Sequence, residues 1–233
     1  MNPIRKRLTV ICGHYGSGKT NLCLNLALQC AREGKRVTLI DIDTANVYFR
    51  SSDHADMLSK EGIRVIGPLY ANTNVDIPAL PASIDSAISD DECVIIDVGG
   101  DDVGAMTLSR YSKGIADTDY DMFCVINRYR SSTTTAEEAV AISKEIEDTC
   151  HLRMTGIINN SHLKQLTTVD TILDSSDFAD RTSELMDVPI IMTTAPRALG
   201  DINLKGKMTY PIDVYIGAPW ENGVVANAEG NRS

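Results

Sequence analysis

"GHYGSGKTN", residues 13–21, is the stretch whose reading decides the fold. Gly13, Gly18, Lys19 and Thr20 satisfy the pattern G-x-x-x-x-G-K-[ST]. A chain of this length meets that spacing by chance only about once in a hundred cases. The apolar run "LTVICG" (8–13) precedes the loop and a segment with helical apolar spacing follows it. In that strand–loop–helix order, glycines let successive backbone N–H groups turn inward on phosphate oxygens, and the helix N-terminus adds partial positive charge. The candidate nucleotide contacts are therefore Gly13, His14, Tyr15, Gly16, Ser17, Gly18, Lys19, Thr20 and Asn21. Lys19 is the group to bridge the β- and γ-phosphates, and Thr20 the hydroxyl to meet Mg2+.

Outward from the loop, Val- and Ile-rich runs alternate with helical patterns. The strand candidates are "LTVICG" (8–13), "RVTLIDID" (36–43), "IRVIG" (63–67), "CVIIDVG" (93–99), "MFCVIN" (122–127), "MTGIIN" (154–159) and "VPIIMT" (188–193). They are continuous apolar runs, as parallel strands covered on both faces require. "KTNLCLNLALQCAREG" (19–34) reads as a helix stopping at Gly34. "TTTAEEAVAISKEIEDTC" (133–150) opens with a capping box, Thr134 with Glu137 or Thr135 with Glu138. "TTVDTILDSSDFADRTSELMD" (167–187) reads as a weaker helix. The expected fold is α/β, a P-loop NTPase with a mostly parallel sheet of about seven strands flanked by helices on both faces. Residues 1–233 read as a single nucleotide-binding domain, with a loosely ordered polar tail at 218–233.

Lys and Arg number 22 against 32 Asp and Glu, a formal net charge of −10. That balance argues against nucleic acid or an anionic membrane surface as partner. No apolar run approaches the length of a membrane span, and "MNPIRKRLTV" (1–10) reads as the approach to a first strand, not as a signal peptide. Six cysteines include no CxxC pair. Core packing in a reducing cytoplasm is the expectation for them, not disulfides or zinc. His54, His151 and His162 show no ligand spacing and read as surface or capping residues.

A magnesium nucleotide site needs carboxylates at the ends of neighbouring strands. "VIIDVGG" (94–100) ends an apolar strand in Asp97, placed to hold the metal's water shell, with Gly100 able to bring a backbone N–H to the γ-phosphate. "TLIDIDTAN" (38–46) ends in Asp41 and Asp43, whose spacing of two puts both on one side of the strand. Asp43 lies nearer the loop and is the candidate to orient an attacking water and to touch the metal. The candidate metal set is Thr20, Asp43 and Asp97, and the catalytic set Asp43, Lys19 and His14.

"GHYGSGKTN", "LIDIDTANVYFR" (39–50), "VIIDVGGDDVGA" (94–105) and "GIINNSHL" (156–163) together resemble the MinD/ParA/nitrogenase-iron-protein group of P-loop ATPases, the CobQ/CobB/MinD/ParA nucleotide-binding superfamily. The resemblance covers residues 8 to 200. It implies a first-switch role for Asp43 and a second-switch role for Asp97 with Gly100. It further implies adenine recognition by Asn160, closure over the base by Pro196 and Arg197, and an ATP-dependent homodimer. It also marks departures. His14 stands where the group keeps a lysine that reaches across the dimer, and "VGGDDVGAMTLSR" (98–110) lacks the cysteine of an iron–sulfur reductase. After "MFCVIN" comes Asn127-Arg128-Tyr129-Arg130, with arginine where guanine recognition needs aspartate, so adenine is favoured.

The leading expectation is a cytoplasmic Mg-ATP-binding protein, a slow ATPase that switches an unidentified partner protein between ATP and ADP states. An enzyme that phosphorylates or ligates a small molecule, with a pocket lined from residues 44–80, is the second reading. A nucleotide-dependent scaffold without turnover is the third. At His14 two readings stay open: a weak substitute for the lysine, or packing over the loop beside Tyr15.

Overall fold

The structure, a computed structural model, describes residues 2–43, 55–67, 83–204 and 206–216. The chain runs β1 (Leu8–Cys12), α1 (Lys19–Arg32), β2 (Val37–Asp41), α2 (Ala55–Lys60), β3 (Ile63–Ile66), α3 (Ser83–Ser89), β4 (Cys93–Asp97) and α4 (Asp102–Ser109). It continues through α5 (Ser112–Ala116), β5 (Tyr120–Ile126), α6 (Ala136–Cys150), β6 (Gly156–Asn159), α7 (Val169–Asp174), α8 (Ser176–Met186), β7 (Ile190–Pro196) and β8 (Thr209–Ile212). Every strand pairing is parallel, in the order β3-β2-β4-β1-β5-β6-β7-β8.

Alternation along the strands divides the core in two. Leu8, Val10 and Cys12 of β1, with Val94, Ile96 and Val98 of the β4 segment, pack with residues of α4, α5, α6 and α8. Ile11 of β1, Ile95 of β4 and Leu39 of β2 face the other way, among Leu22, Leu24 and Leu28 of α1. Helices on both faces explain why the strands carry apolar residues without alternation. They also fix the outlook of the strand-end carboxylates: Asp97 follows Ile95 by two, so its side chain turns toward α1 and the loop that opens it.

Local capping behaves as its residues demand. Gly34 takes φ 80° after α1, its N–H reaching Ala31 O at 2.8 Å and the Lys35 N–H reaching Cys30 O at 3.2 Å, a Schellman end. Of the two capping boxes open in the sequence, Thr135 with Glu138 forms: Glu138 N donates to Thr135 Oγ1 at 3.2 Å and Thr135 N to Glu138 Oε2 at 3.0 Å. The helix expected over 167–187 is instead two, because Ser175 interrupts it. Its hydroxyl donates back to Ile172 O at 2.7 Å and accepts from Asn159 Nδ2 of β6 at 2.8 Å.

All seven expected strands are present. The eighth, β8, contains Pro211, which a central strand would not tolerate but the sheet's edge does, since a missing N–H costs nothing there. All six cysteines are buried and free. Among the described residues no helix is long and apolar enough to cross a membrane. The polar tail and most of the 44–80 stretch lie outside the described residues.

Candidate functional site

The loop between β1 and α1 requires its glycines. Gly13, Gly16 and Gly18 take φ of 131°, 74° and 91°, values that L side chains with a Cβ rarely adopt. A Cβ at Gly13 would also strike the Val125 backbone of β5. The loop closes through Ser17 N to His14 O at 3.2 Å and Leu22 N to Gly18 O at 3.1 Å. Within it Lys19 is only 6% exposed, and its Nζ donates to the His14 carbonyl at 3.1 Å.

The carboxylates arrive from the β2–β4 side. Asp41 and Asp97 are direct partners in the β2–β4 register. Asp43 is buried, its N–H donating to Asp41 Oδ1 at 3.0 Å. Its own Oδ1 lies so near Gly99 that a Cβ there would stand 3.2 Å away. Asp97 is buried, and neither of its carboxylate oxygens completes a hydrogen bond of ordinary geometry, although the Thr20 hydroxyl and Cys23 thiol adjoin it. Burial pushes its pKa up to about 6, with Lys19 and Thr20 pulling the other way and Asp43 adding to the rise. Gly100 docks on the loop, its carbonyl accepting from Tyr15 N at 3.2 Å. A Cβ on Gly100 would press on the Tyr15 backbone and approach Lys19 Nζ to 2.7 Å.

Among the described residues no three His, Cys, Asp or Glu side chains gather as a self-sufficient metal cage. A magnesium ion held by one or two carboxylates and by substrate phosphates needs no such cage. Thr20 beside the two orphaned Asp97 oxygens is a donor set that fits it.

His14 is half-buried and bonded to the loop's own backbone. Its Nδ1 donates to the Tyr15 carbonyl at 2.7 Å, and the residue lines a cavity of about 270 Å³ with Gly100, Asp101, Asp102 and Glu145. Tyr15 beside it is 57% exposed. Asp101 caps α4, accepting from Gly104 N at 2.9 Å.

From the β5–β6 side come contacts that no local pattern announced. Asn160 is buried: its Nδ2 donates to the Ser17 carbonyl at 2.6 Å and its Oδ1 accepts from the Thr194 hydroxyl. Both ends of the amide, expected to face a base, thus hold the phosphate loop against β7. Arg130 Nε donates to Gly16 O at 2.7 Å. His162, expected like the others at the surface or in a cap, lies half-buried against Gly18, whereas His151 does cap α6. His54 lies outside the described residues. Asn21 and Arg197 meet through Asp213: Arg197 Nε binds its carboxylate at 2.9 Å, and Asn21 Nδ2 donates to its carbonyl at 3.0 Å. Pro196 closes β7 immediately before.

A parallel sheet with a glycine loop leading into a helix, a buried loop lysine and a strand-end aspartate defines a P-loop nucleotide-binding protein. More particularly, the chain belongs to the CobQ/CobB/MinD/ParA nucleotide binding domain family, which matches residues 8–165. Among solved structures it is similar in fold to FtsY from Mycoplasma mycoides, with a TM-score of 0.54 and 18% identity over 82% of this chain and 61% of that one. It is also similar to the signal recognition particle receptor FtsY from Elizabethkingia anophelis, with a TM-score of 0.51 and 19% identity over 86% and 63%. The DNA repair and recombination protein RadB of Methanococcoides burtonii is 39% identical over 59 residues, 25% of this chain and 24% of that protein. The chain thus spans about a quarter of that relative and about three fifths of the two FtsY chains.

Proposed function

We propose that this chain binds Mg-ATP and works as a slow, nucleotide-dependent switch on a partner protein in the cytoplasm. The observation that carries the reading is Asp97: a buried strand-end carboxylate, neither of whose oxygens completes a hydrogen bond of ordinary geometry, beside Thr20 and the loop lysine. An arrangement so costly in the empty protein is relieved when a cation arrives with phosphate. In that state Lys19 would exchange the His14 carbonyl for phosphate oxygens, and a magnesium ion held by Thr20 and Asp97 would supply charge neutralisation. Gly100, hydrogen-bonded to the loop at Tyr15, is the point where the presence of a γ-phosphate would be passed to α4. Asp43 beside Gly99 orients the attacking water.

The preference for adenine rests on Arg130, since a guanidinium cannot accept from guanine's N–H groups as a carboxylate would. Six free, buried cysteines suit a reducing compartment. Calorimetric titration with Mg-ATP and Mg-GTP, together with mass measured in apo, ADP and ATP states, tests the reading. Tighter ATP binding with an ATP-dependent change of mass is expected, and Lys19→Ala should abolish phosphate-dependent binding. Unaltered ATP affinity in that variant defeats the site assignment.

A further inference from the structure

Three side chains reach the outer wall of the phosphate loop from the β5–β6 side, and two of them are engaged there. Asn160 holds the Ser17 carbonyl and Arg130 the Gly16 carbonyl. His162 touches the same wall without such a bond. Its Nδ1 accepts from the Lys164 N–H at 3.2 Å, which places the proton of the neutral ring on Nε2. That Nε2 lies against the glycine that begins α1: a Cβ on Gly18 would stand 3.2 Å from it. Among the described residues Nε2 donates to nothing. Burial, with Arg130 and Lys164 nearby, lowers the ring's pKa to about 4, so it is neutral throughout the physiological range.

The sheet order gives the nucleotide a direction. The carboxylates suited to metal and γ-phosphate come from β2 and β4, on one side of β1. His162 and Arg130 come from β6 and β5, on the other side. A ligand with its terminal phosphate toward Asp97 therefore lays its nucleoside toward His162. An uncharged donor suits a nucleoside acceptor, whereas a phosphate is better met by the cation already present in Lys19.

We propose that His162 is a nucleoside-contacting residue, donating from Nε2 to an acceptor atom of the base or ribose, and that this contact separates a nucleotide from bare polyphosphate. The proposal rests on the nucleotide-binding reading above. It is tested by titrating parent, His162→Ala and His162→Gln with Mg-ATP and, separately, with magnesium tripolyphosphate. The expected result is a loss of about tenfold in ATP affinity for His162→Ala, of the order a single ligand hydrogen bond supports. Tripolyphosphate affinity should stay within about twofold, since phosphate has no part in the contact. Glutamine, whose amide nitrogen reaches to the place of Nε2, should recover part of the loss. Retained tripolyphosphate binding also shows that the loop is intact. Equal losses for both ligands would make His162 a support of the loop and overturn the proposal, as would unchanged ATP affinity. A parent that binds tripolyphosphate but gains nothing from the nucleoside overturns it too. A parent that binds neither ligand removes the nucleotide reading itself, and the proposal with it.

Discussion

Asn160 Nδ2 stands 2.6 Å from the Ser17 carbonyl and ties the end of β6 to a loop 143 residues earlier. Its other end, Oδ1, accepts from Thr194 of β7. Asn160→Asp keeps the shape and that acceptor but sets a carboxylate oxygen against the Ser17 carbonyl. Losing one buried hydrogen bond and leaving its partner unmet costs about 1–3 kcal/mol. The melting temperature should fall by roughly 2–12 °C, with a parallel fall in nucleotide affinity. Unchanged melting would show that the amide is no brace.

Asp97 makes the empty protein's stability depend on pH. Its carboxyl titrates at about 6 in the fold against an ordinary 3.8, so the folded state holds this proton more tightly than the unfolded chain. The stabilising contribution is complete below about 3.8 and is lost as pH rises through about 6, where the buried carboxylate costs about 3 kcal/mol. Asp97→Asn removes that cost, and the apo variant should melt roughly 6–12 °C above the parent at pH 7.5. The gap should narrow at pH 4.5, and the variant should show weaker magnesium dependence of nucleotide binding. Thermal melts at the two pH values decide the matter; an equal gap at both would exclude titration of this carboxyl as the cause.

For Asp43 the expected phenotype is kinetic. Asp43→Asn preserves shape and leaves nucleotide bound, but an amide orients water poorly, so hydrolysis slows by about 10²-fold or more. Single-turnover measurements separate this from weakened binding. Hydrolysis at the parental rate would exclude a water-orienting role.

At His14 the decisive comparison is among parent, His14→Lys and His14→Ala. A fixed cation aimed at the transferring phosphoryl group is worth on the order of 10³–10⁵ in rate. The His14 ring is instead turned onto the Tyr15 carbonyl, and intrinsic turnover in the parent should be slow. Lysine at this position should raise turnover if it reaches the phosphates of a second copy, and alanine should leave it slow. Fast turnover in the parent, unaltered in both variants, would show that the position has no catalytic part.

The loop glycines, the lysine, the two strand-end carboxylates and the capping at Gly34 and Thr135 were legible because each is a local matter. A positive φ calls for glycine, and a capping box is written within four residues. Continuous Val/Ile runs likewise announce strands covered on both faces. β8 was not legible, because a short run containing Pro211 becomes a strand only where β7 offers it an edge. The break between α7 and α8 was equally hidden. The serine at 175 interrupts a plausible helix, and part of its hydrogen bonding comes from Asn159 in another strand.

By itself, then, the sequence determined that this chain folds as a parallel α/β protein around a phosphate loop, and which residues form the loop and its acidic flank. Only the tertiary structure decided what stands on the loop's other side. The resemblance marked Asn160 for a base, and Arg130 stood out only as a departure from guanine recognition, but nothing in the spacing around them or around His162 says that all three lie against the phosphate loop. They meet Gly16, Ser17 and Gly18 because β1, β5 and β6 are adjacent in the sheet. Adjacency between strands more than a hundred residues apart is settled by how two faces of apolar side chains pack together, and that is a property of the whole core.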